Sequence, residues 1–133
     1  DRCLSRGLGD VYKRQGVVRD ETTAQASTYL DRLPKRIGEK VGVMVFDPML
    51  ATGGSLALVL RQLKGLGVQG PRLRVITALA SSPGLKALAE EFQDLTLYTG
   101  CIDAELDARQ YIVPGLGDAG DRLYGTESED FLA

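Results

Sequence analysis

Apolar runs of strand length alternate with segments of helical periodicity in this chain, and this alternation constrains the fold more than any other feature. The apolar runs are Val41–Phe46, Leu73–Ala80 and Leu95–Thr99. Between them lie Leu56–Lys64, where leucine and valine recur at helical spacing, and Gly84–Phe92. Nearly continuous apolar runs are typical of strands buried on both faces of a parallel sheet. The order strand, helix, strand, helix, strand therefore predicts an α/β fold with a parallel sheet.

Small and polar residues mark the predicted ends of these elements. Asp47 and Pro48 end the first apolar run, and the small-residue loop Ala51–Gly54 follows. Ser55 is the predicted N-cap of the first helix, because a serine side chain can accept a hydrogen bond from a free amide of the first turn. Ser82-Pro83 begins the second helix, since proline in the first turn removes a donor that has no helical partner.

The composition excludes several classes of site. The chain of 133 residues contains no histidine, which excludes histidine-dependent nucleophiles, general bases and metal sites. Its cysteines, Cys3 and Cys101, form no C-x-x-C pair, so we expect isolated thiols. The net charge of −2 argues against nonspecific nucleic-acid binding. No apolar run approaches the roughly 20 residues of a membrane helix. We expect a cytoplasmic protein with no nucleic-acid or membrane partner.

The first segment, DRCLSRGLGDVYKRQ, fits none of the elements that follow it. It has no strand or helix period, it ends in a basic cluster, and it resembles a translated adapter. We therefore predict that residues 1–15 are a non-native leader and that residues 16–133 belong to the domain. A native loop or tail is the alternative interpretation of residues 1–15.

The segment Asp47–Ser55 follows a predicted parallel strand, at the position where open α/β sheets bind ligands. Gly53 and Gly54 allow the backbone to approach an anion closely and to adopt positive φ. The free amides of a helix N-terminus favour phosphate. Neither the Walker A lysine nor the dinucleotide G-x-G-x-x-G pattern occurs in this turn. A sugar phosphate is therefore expected, with the Asp47 carboxylate accepting hydrogen bonds from ribose hydroxyls.

Three segments of the chain resemble motifs of a known family. VMVFDPMLATGGS (Val43–Ser55) resembles the phosphoribosyl pyrophosphate (PRPP) signature of type I phosphoribosyltransferases. Most of these enzymes have a second acidic residue at the position of Pro48, and the proline there resembles the uracil-specific branch of the family. YIVPGLGDAGDRLYGT (Tyr111–Thr126) resembles the uracil-binding segment of that branch, and GVVRDETT (Gly16–Thr23) resembles an arginine-containing segment. The resemblance implies a parallel-sheet type I phosphoribosyltransferase (Rossmann-like) fold, N-terminally truncated because the match begins well inside the family's chain.

The resemblance also implies an activity and a set of site residues. A uracil phosphoribosyltransferase converts uracil and PRPP into UMP and pyrophosphate, with Mg²⁺ carried by PRPP and no protein metal site. We expect the full-length protein to be a homo-oligomer, with Asp47 and Arg19 as catalytic residues. The PRPP-binding residues implied are Arg19, Asp47, Pro48, Met49, Leu50, Ala51, Thr52, Gly53, Gly54, Ser55 and Asp118. The uracil-binding residues implied are Ile112, Gly117, Asp118 and Ala119.

Three alternatives remain open on the sequence alone. The chain can belong to the phosphoribosyltransferase-like domain of a uridine kinase fusion, or to a non-catalytic module that senses UMP or PRPP. Another base specificity is the third alternative, because fold and function are separable. The fragment by itself is expected to have little or no turnover if the upstream part of the domain is required.

Overall fold

The computed structural model describes residues 15–19, 26–31, 33–117 and 119–124 of the chain. The strands are β1 (Gln15–Arg19), β2 (Ala26–Asp31), β3 (Val43–Phe46), β4 (Met49–Leu50), β5 (Leu73–Ser81), β6 (Thr96–Asp103), β7 (Glu105–Leu106) and β8 (Ile112–Val113). The helices are α1 (Gly54–Gly65), α2 (Ser82–Glu91) and α3 (Ala119–Tyr124), with a 3₁₀ turn at Gly70–Arg72. No helix in these ranges is long and apolar enough to cross a membrane.

A parallel sheet around β5 forms the centre of the fold. β3 pairs with the first half of β5, with Phe46 opposite Ile76, and β4 pairs with the second half, with Leu50 opposite Ala80. Only two residues separate β3 from β4, so both lie along the same edge of β5. β6 pairs in parallel along the other edge. The strand order confirms the predicted α/β fold with a parallel sheet. β1 with β2 and β7 with β8 form separate antiparallel pairs.

Helices α1 and α2 pack side by side on one face of this sheet. Leu56, Leu60 and Leu63 of α1 are buried together with Leu88 of α2 and Val75 of β5. Burial of a leucine side chain contributes about 1.5–3 kcal/mol, so this cluster is the main source of stability in the described fold. Because the leucines of α1 recur at helical spacing, they present one continuous apolar stripe to the sheet.

A bidentate ion pair joins the outer surfaces of the two helices. Arg61 Nε and Nη2 donate to the two carboxylate oxygens of Glu91, each at 2.6 Å. The hydrogen bond from Arg61 is the largest influence that lowers the pKa of Glu91. Both side chains are well exposed, so the pair adds little to stability.

No described residue buries the opposite face of the sheet at β3, which corrects the expectation that the first strand is buried on both faces. Met44 and Phe46 of β3 are 55% and 63% exposed, and Tyr98 of β6 is 56% exposed. The order β3–β5–β6 runs in one direction across the sheet, and right-handed crossovers that run in one direction place their helices on the same face. The strand is also shorter than predicted, since Val41 is half exposed and lies outside β3.

The first helix begins at Gly54, earlier than predicted, and its N-cap is Gly53 rather than Ser55. Gly53 has a φ of 84°, a left-handed conformation that glycine adopts without strain. Its carbonyl accepts the first helical hydrogen bond from the Ala57 amide at 2.8 Å, and no side chain caps the helix. Of the two glycines expected to have positive φ, only Gly53 does.

The second helix begins where its first turn packs onto the loop after β4. Ser81 is the N-cap of α2, and its hydroxyl accepts a hydrogen bond from the Gly84 amide at 3.0 Å. The same hydroxyl donates to the Ala51 carbonyl at 2.5 Å. A Cβ on Gly84 would lie 3.1 Å from the Ala51 carbonyl carbon and closer still to its oxygen. Glycine at this position therefore allows helix and loop to make direct backbone contact.

Replacing Ser81 by alanine should destabilise the fold, because it removes the cap of α2 and the hydrogen bond to Ala51. We expect a loss of about 0.5–2 kcal/mol in the free energy of unfolding, the range of a lost serine cap. Urea unfolding should show a lower midpoint at an unchanged m-value. Ser82→Ala, one residue further along, is the matched control. Equal midpoints for the two variants would contradict the role of Ser81.

The free energy of unfolding should respond differently when Gly53 and the adjacent Gly54 are each replaced by alanine. Gly53→Ala places a Cβ 3.3 Å from Leu88 Cγ and from the Gly84 carbonyl oxygen, in a left-handed conformation. Gly54→Ala places its Cβ no closer than 3.8 Å to the Thr52 hydroxyl, in a helical turn that favours alanine. We expect Gly53→Ala to cost at least about 1 kcal/mol and Gly54→Ala to be neutral or stabilising. Thermal or urea unfolding that ranks the two variants in the opposite order would refute the assigned N-cap.

Candidate active site

The carboxyl ends of the parallel strands lie together at one end of the sheet, called the carboxyl edge below, and several loops begin there. The paired residues Leu50, Ala80 and Ile102 of β4, β5 and β6 lie at one level, and Ser81 is opposite Asp103 one residue further. The loop after β4, the start of α2 and the segment after β6 therefore leave the sheet side by side. Ligands of open α/β sheets bind at this edge.

A cavity of about 110 Å³ lies between the end of β3 and the start of α1. It is lined by Asp47, Met49, Leu50, Ala51, Gly53, Ser55 and Leu56. A single water molecule requires roughly 10–15 Å³, so the cavity has room for a polyatomic group. Ala51, Gly53 and Ser55 have small side chains, which lets a ligand approach the main chain on that side of the cavity.

The helix N-terminus at one end of this cavity favours an anion. The first amides of an α-helix have no acceptor within the helix, and in α1 these are the amides that follow Gly53. No acidic residue lies in the first turn of α1 to compete for them. The positive end of the helix macrodipole adds to the attraction. The arrangement is suited to bind a phosphate group.

One carboxylate lies at the rim of the same cavity. Asp47 follows β3 directly, and its Oδ1 accepts a hydrogen bond from the Met49 amide at 3.3 Å. Pro48 contributes through its carbonyl, which accepts from the amides of Ala78 and Leu79, each at 3.2 Å. These bonds fix the step from β3 to β4, so that the Asp47 carboxylate and the helix terminus are presented on one side of the sheet.

The hairpin of β7 and β8 brings the second motif to this edge. Asp107 Oδ1 accepts hydrogen bonds from the amides of Arg109 and Tyr111, both at 2.8 Å, and so stabilises the connecting turn. Ile112, the first residue of β8, is only 3% exposed. The hairpin is therefore anchored at Ile112, and the chain beyond Val113 turns back over the end of the sheet.

The turn beyond β8 packs on the end of β6. Gly117 has a φ of 63°, and its amide donates to the Ile112 carbonyl at 3.4 Å. A Cβ on Gly115 would lie 2.9 Å from Cγ of Asp103, the last residue of β6. The turn thus depends on a glycine that meets a strand-terminal carboxylate.

The structure brings most of the predicted phosphate-loop residues together around one cavity. Those that line it are Asp47, Met49, Leu50, Ala51, Gly53 and Ser55. Those in the same loop but outside the lining are Pro48, Thr52 and Gly54. Of the predicted uracil-binding residues, Ile112 lies in β8, Gly117 in the turn and Ala119 at the start of α3. Arg19 is the last residue of β1, and Asp118 lies outside the described residues.

Residues that the sequence analysis did not single out complete this edge. Leu56 lines the cavity, Ser81 and Gly84 hold its loop, and Asp103 supports the turn beyond β8. The Ser-Ser-Pro-Gly order was a signal for the capping serine, because serine directly before a proline-containing first turn is a frequent N-cap. Among the described residues, no group of three or more Cys, Asp or Glu side chains could hold a metal ion.

A family model and curated relatives of this chain carry the same description. A family model described as uracil phosphoribosyltransferase matches residues 7–126. The uracil phosphoribosyltransferase of Synechococcus elongatus is 45% identical over 111 residues, which cover 84% of this chain and 51% of the relative. That of Clostridium kluyveri is 48% identical over 112 residues, covering 84% of this chain and 52% of the relative. The chloroplastic uracil phosphoribosyltransferase of Arabidopsis thaliana is 45% identical over 113 residues, which cover 85% of this chain and 38% of the relative.

A solved structure of a protein from Aquifex aeolicus shares the fold, with a TM-score of 0.70 at 38% identity over 85% of this chain and 52% of that chain. The chain spans about half the length of the bacterial relatives it matches. The matched region includes both the loop around the cavity and the segment beyond β8. The resemblance of these two motifs to a type I phosphoribosyltransferase is confirmed, and the chain belongs to the uracil phosphoribosyltransferase family.

Proposed function

We propose that the complete protein transfers the phosphoribosyl group of PRPP to uracil, giving UMP and pyrophosphate. The observation that carries the proposal is the cavity at the N-terminus of α1, with Asp47 at its rim, in a chain of this family. The names of the bacterial and plant relatives support this enzyme over a kinase fusion or a non-catalytic sensor. The matched segment supplies the phosphate loop and the turn beyond β8.

The reaction exchanges one bond at the anomeric carbon of the ribose. The bond from that carbon to a pyrophosphate oxygen breaks, a bond to a uracil ring nitrogen forms, and the nitrogen releases its proton. Glycosyl transfers of this kind pass through an oxocarbenium-like transition state. Positioning and charge stabilisation therefore contribute more than a strong protein base. A chain without histidine is compatible with such a reaction.

The phosphoribosyl side is assigned to the loop between β3 and α1. Asp47 accepts hydrogen bonds from the ribose hydroxyls, and the segment Ala51–Ser55 surrounds the 5′-phosphate with amides and hydroxyls. The buried Gly53 and the absence of acidic residues in the first turn of α1 support this assignment. Arg19 and Asp118 belong to the proposal through the family resemblance, as contacts of PRPP.

The uracil side is assigned to the segment that begins at β8. Backbone amides and carbonyls at Ile112 and Gly117, with Asp118 and Ala119, pair with the polar edge of the pyrimidine. Fixed backbone groups discriminate between bases because a wrong base leaves them unpaired. The burial of Ile112 supports the assignment, since it anchors the segment to the sheet.

Mg²⁺ enters this proposal with PRPP, where it would neutralise charge on the pyrophosphate oxygens. Magnesium usually keeps several waters and few protein ligands, and the carboxylate donor at the cavity rim, Asp47, is compatible with such an ion. A homo-oligomeric assembly and a cytoplasmic location remain predictions for the complete protein. So does the boundary between a leader of residues 1–15 and a domain of residues 16–133; the family match begins at residue 7.

Titration of UMP into this chain with Mg²⁺ present tests the proposed specificity. UMP reaches both the phosphate loop and the base segment, so calorimetry should show binding at least about tenfold tighter than that of GMP, whose base presents the wrong polar edge. Far-UV circular dichroism checks that the chain is folded. Equal affinities for UMP and GMP, or no UMP binding to the folded chain and to the complete protein, would refute the proposal.

Asp47→Asn should weaken PRPP binding by about 1–3 kcal/mol, the scale of a charge-assisted hydrogen bond. The asparagine oxygen can still accept from the Met49 amide, so the loop geometry is retained and the lost charge is the main change. Calorimetry on the complete protein with PRPP and Mg²⁺ gives the affinity. Asp94→Asn is the matched control, because Asp94 lies two residues before the start of β6, and it should leave the affinity unchanged. PRPP affinity that is the same in both variants would remove Asp47 from the ribose site.

A further inference from the structure

Asp103 presents a buried acceptor atom at the edge of the sheet. Its Oδ2 is inaccessible to solvent and has no hydrogen-bond partner within the part of the chain that the structure describes. Burying a carboxylate oxygen without a hydrogen bond is unfavourable, so such atoms normally have a donor close by. Asp103 is not among the residues assigned above to PRPP or to uracil.

The surroundings of this oxygen identify its neighbour. A Cβ built on Gly115 would lie inside van der Waals contact of Oδ2, 2.9 Å from Cγ and 3.4 Å from Oδ1 of Asp103. The carboxylate therefore lies directly against the Cα of Gly115, in the middle of the turn between β8 and Gly117. Any side chain at residue 115 would displace the carboxylate or the turn.

Backbone donors are available at the same point. The amide nitrogens of Gly115 and Leu116 are one and two covalent bonds from the Cα beside the carboxylate, so they are the backbone donors next to it in the chain. The turn itself is held within the described residues by the long bond from the Gly117 amide to the Ile112 carbonyl, at 3.4 Å. The turn thus offers donors, and Asp103 offers the acceptor.

Asp103, which contacts the turn beyond β8, lies next to the residue that holds the phosphate loop. Asp103 is opposite Ser81 in the sheet, and the Ser81 hydroxyl donates to the carbonyl of Ala51. The phosphate loop is hydrogen-bonded to Ser81, and the turn beyond β8 lies against Asp103, the residue paired with Ser81 on the neighbouring strand, about 4.8 Å away. The sheet register fixes the distance between the two parts of the candidate site.

From this geometry we infer that Asp103 is a positioning residue of the uracil site. Its carboxylate accepts hydrogen bonds from the backbone amides of Gly115 and Leu116, and it holds the uracil-binding turn at a fixed distance from the phosphate loop. The inference deepens the proposed function and rests on it for the identity of the base. The contact between Asp103 and the turn can be tested separately from the identity of the ligand.

Amide hydrogen exchange of the ligand-free chain, followed by NMR, tests the contact. Exchange at Gly115 and Leu116 should be about tenfold faster in Asp103→Ala than in the unmodified chain, because the amides lose their acceptor. Asp94→Ala, two residues before the start of β6, should leave the exchange of these amides unchanged. Equal exchange in the unmodified chain and in Asp103→Ala would overturn the inference, as would a rise in exchange that extends over the whole of β5 and β6.

Binding of two ligands tests the role in the site. Asp103→Ala should weaken UMP binding roughly tenfold and leave ribose 5-phosphate within about twofold, since ribose 5-phosphate lacks the base. Asp103→Asn keeps an acceptor oxygen and should restore most of the UMP affinity. Equal losses for both ligands, or none, would overturn the positioning role. An unmodified chain that binds ribose 5-phosphate but not UMP would refute the uracil assignment, while the exchange measurement still decides whether Asp103 holds the turn.

A double-mutant cycle tests the direct packing of Asp103 on Gly115. Gly115→Ala should lower UMP affinity in the unmodified chain, because the new Cβ meets the carboxylate. In the Asp103→Ala background the same substitution should have little further effect, since the carboxylate atoms it would meet are gone. Additive effects of the two substitutions would show that the residues act independently and would overturn the inference.

Discussion

The buried hydroxyl of Ser81 connects the end of β5, the start of α2 and the loop that follows β4. It accepts from the Gly84 amide and donates to the Ala51 carbonyl, so it caps α2 and holds the loop that follows β4. With a Cβ at residue 84 this contact would be blocked, and Gly53 packs against Leu88 of the same helix. The loop around the cavity is therefore held by a helix that contributes none of the lining residues, through Ser81, Gly84 and Leu88.

The free backbone amides at the start of α1 suit the chemistry proposed for the site. The N-terminus of α1 offers amides whose direction is fixed by the helix, and these groups need no reorganisation when an anion binds. Asp47 is likewise oriented by the Met49 amide before any substrate arrives. A displacement through an oxocarbenium-like transition state benefits from such preorganised charges and dipoles. The lack of histidine in the chain is consistent with a site that relies on position rather than on proton transfer.

Local pattern predicted the parallel sheet and the glycine-containing turn that precedes α1, because apolar runs, glycines and strand ends are local features. It failed where distant parts of the chain decide. Ser55 has the better side chain for an N-cap, yet Gly53 takes that position because its left-handed conformation lets the loop pack against α2. The bond between Ala51 and Ser81 joins residues 30 apart in sequence. The apolar run that ends at Phe46 indicated burial on both faces, but an apolar run does not specify which faces of the strand neighbouring elements cover.

The two faces of the sheet therefore have different roles in this chain. One face is covered by α1 and α2, and the cavity and the contact between Asp103 and Gly115 lie at the carboxyl edge of the sheet that these helices hold in place. The other face presents Met44, Phe46 and Tyr98 to solvent within the described residues. Exposed apolar surface of this kind raises the free energy of the folded state relative to a covered sheet. Covering that face would stabilise the chain as a whole, whereas the geometry of the candidate site is already fixed by the hydrogen bonds and close contacts at the carboxyl edge.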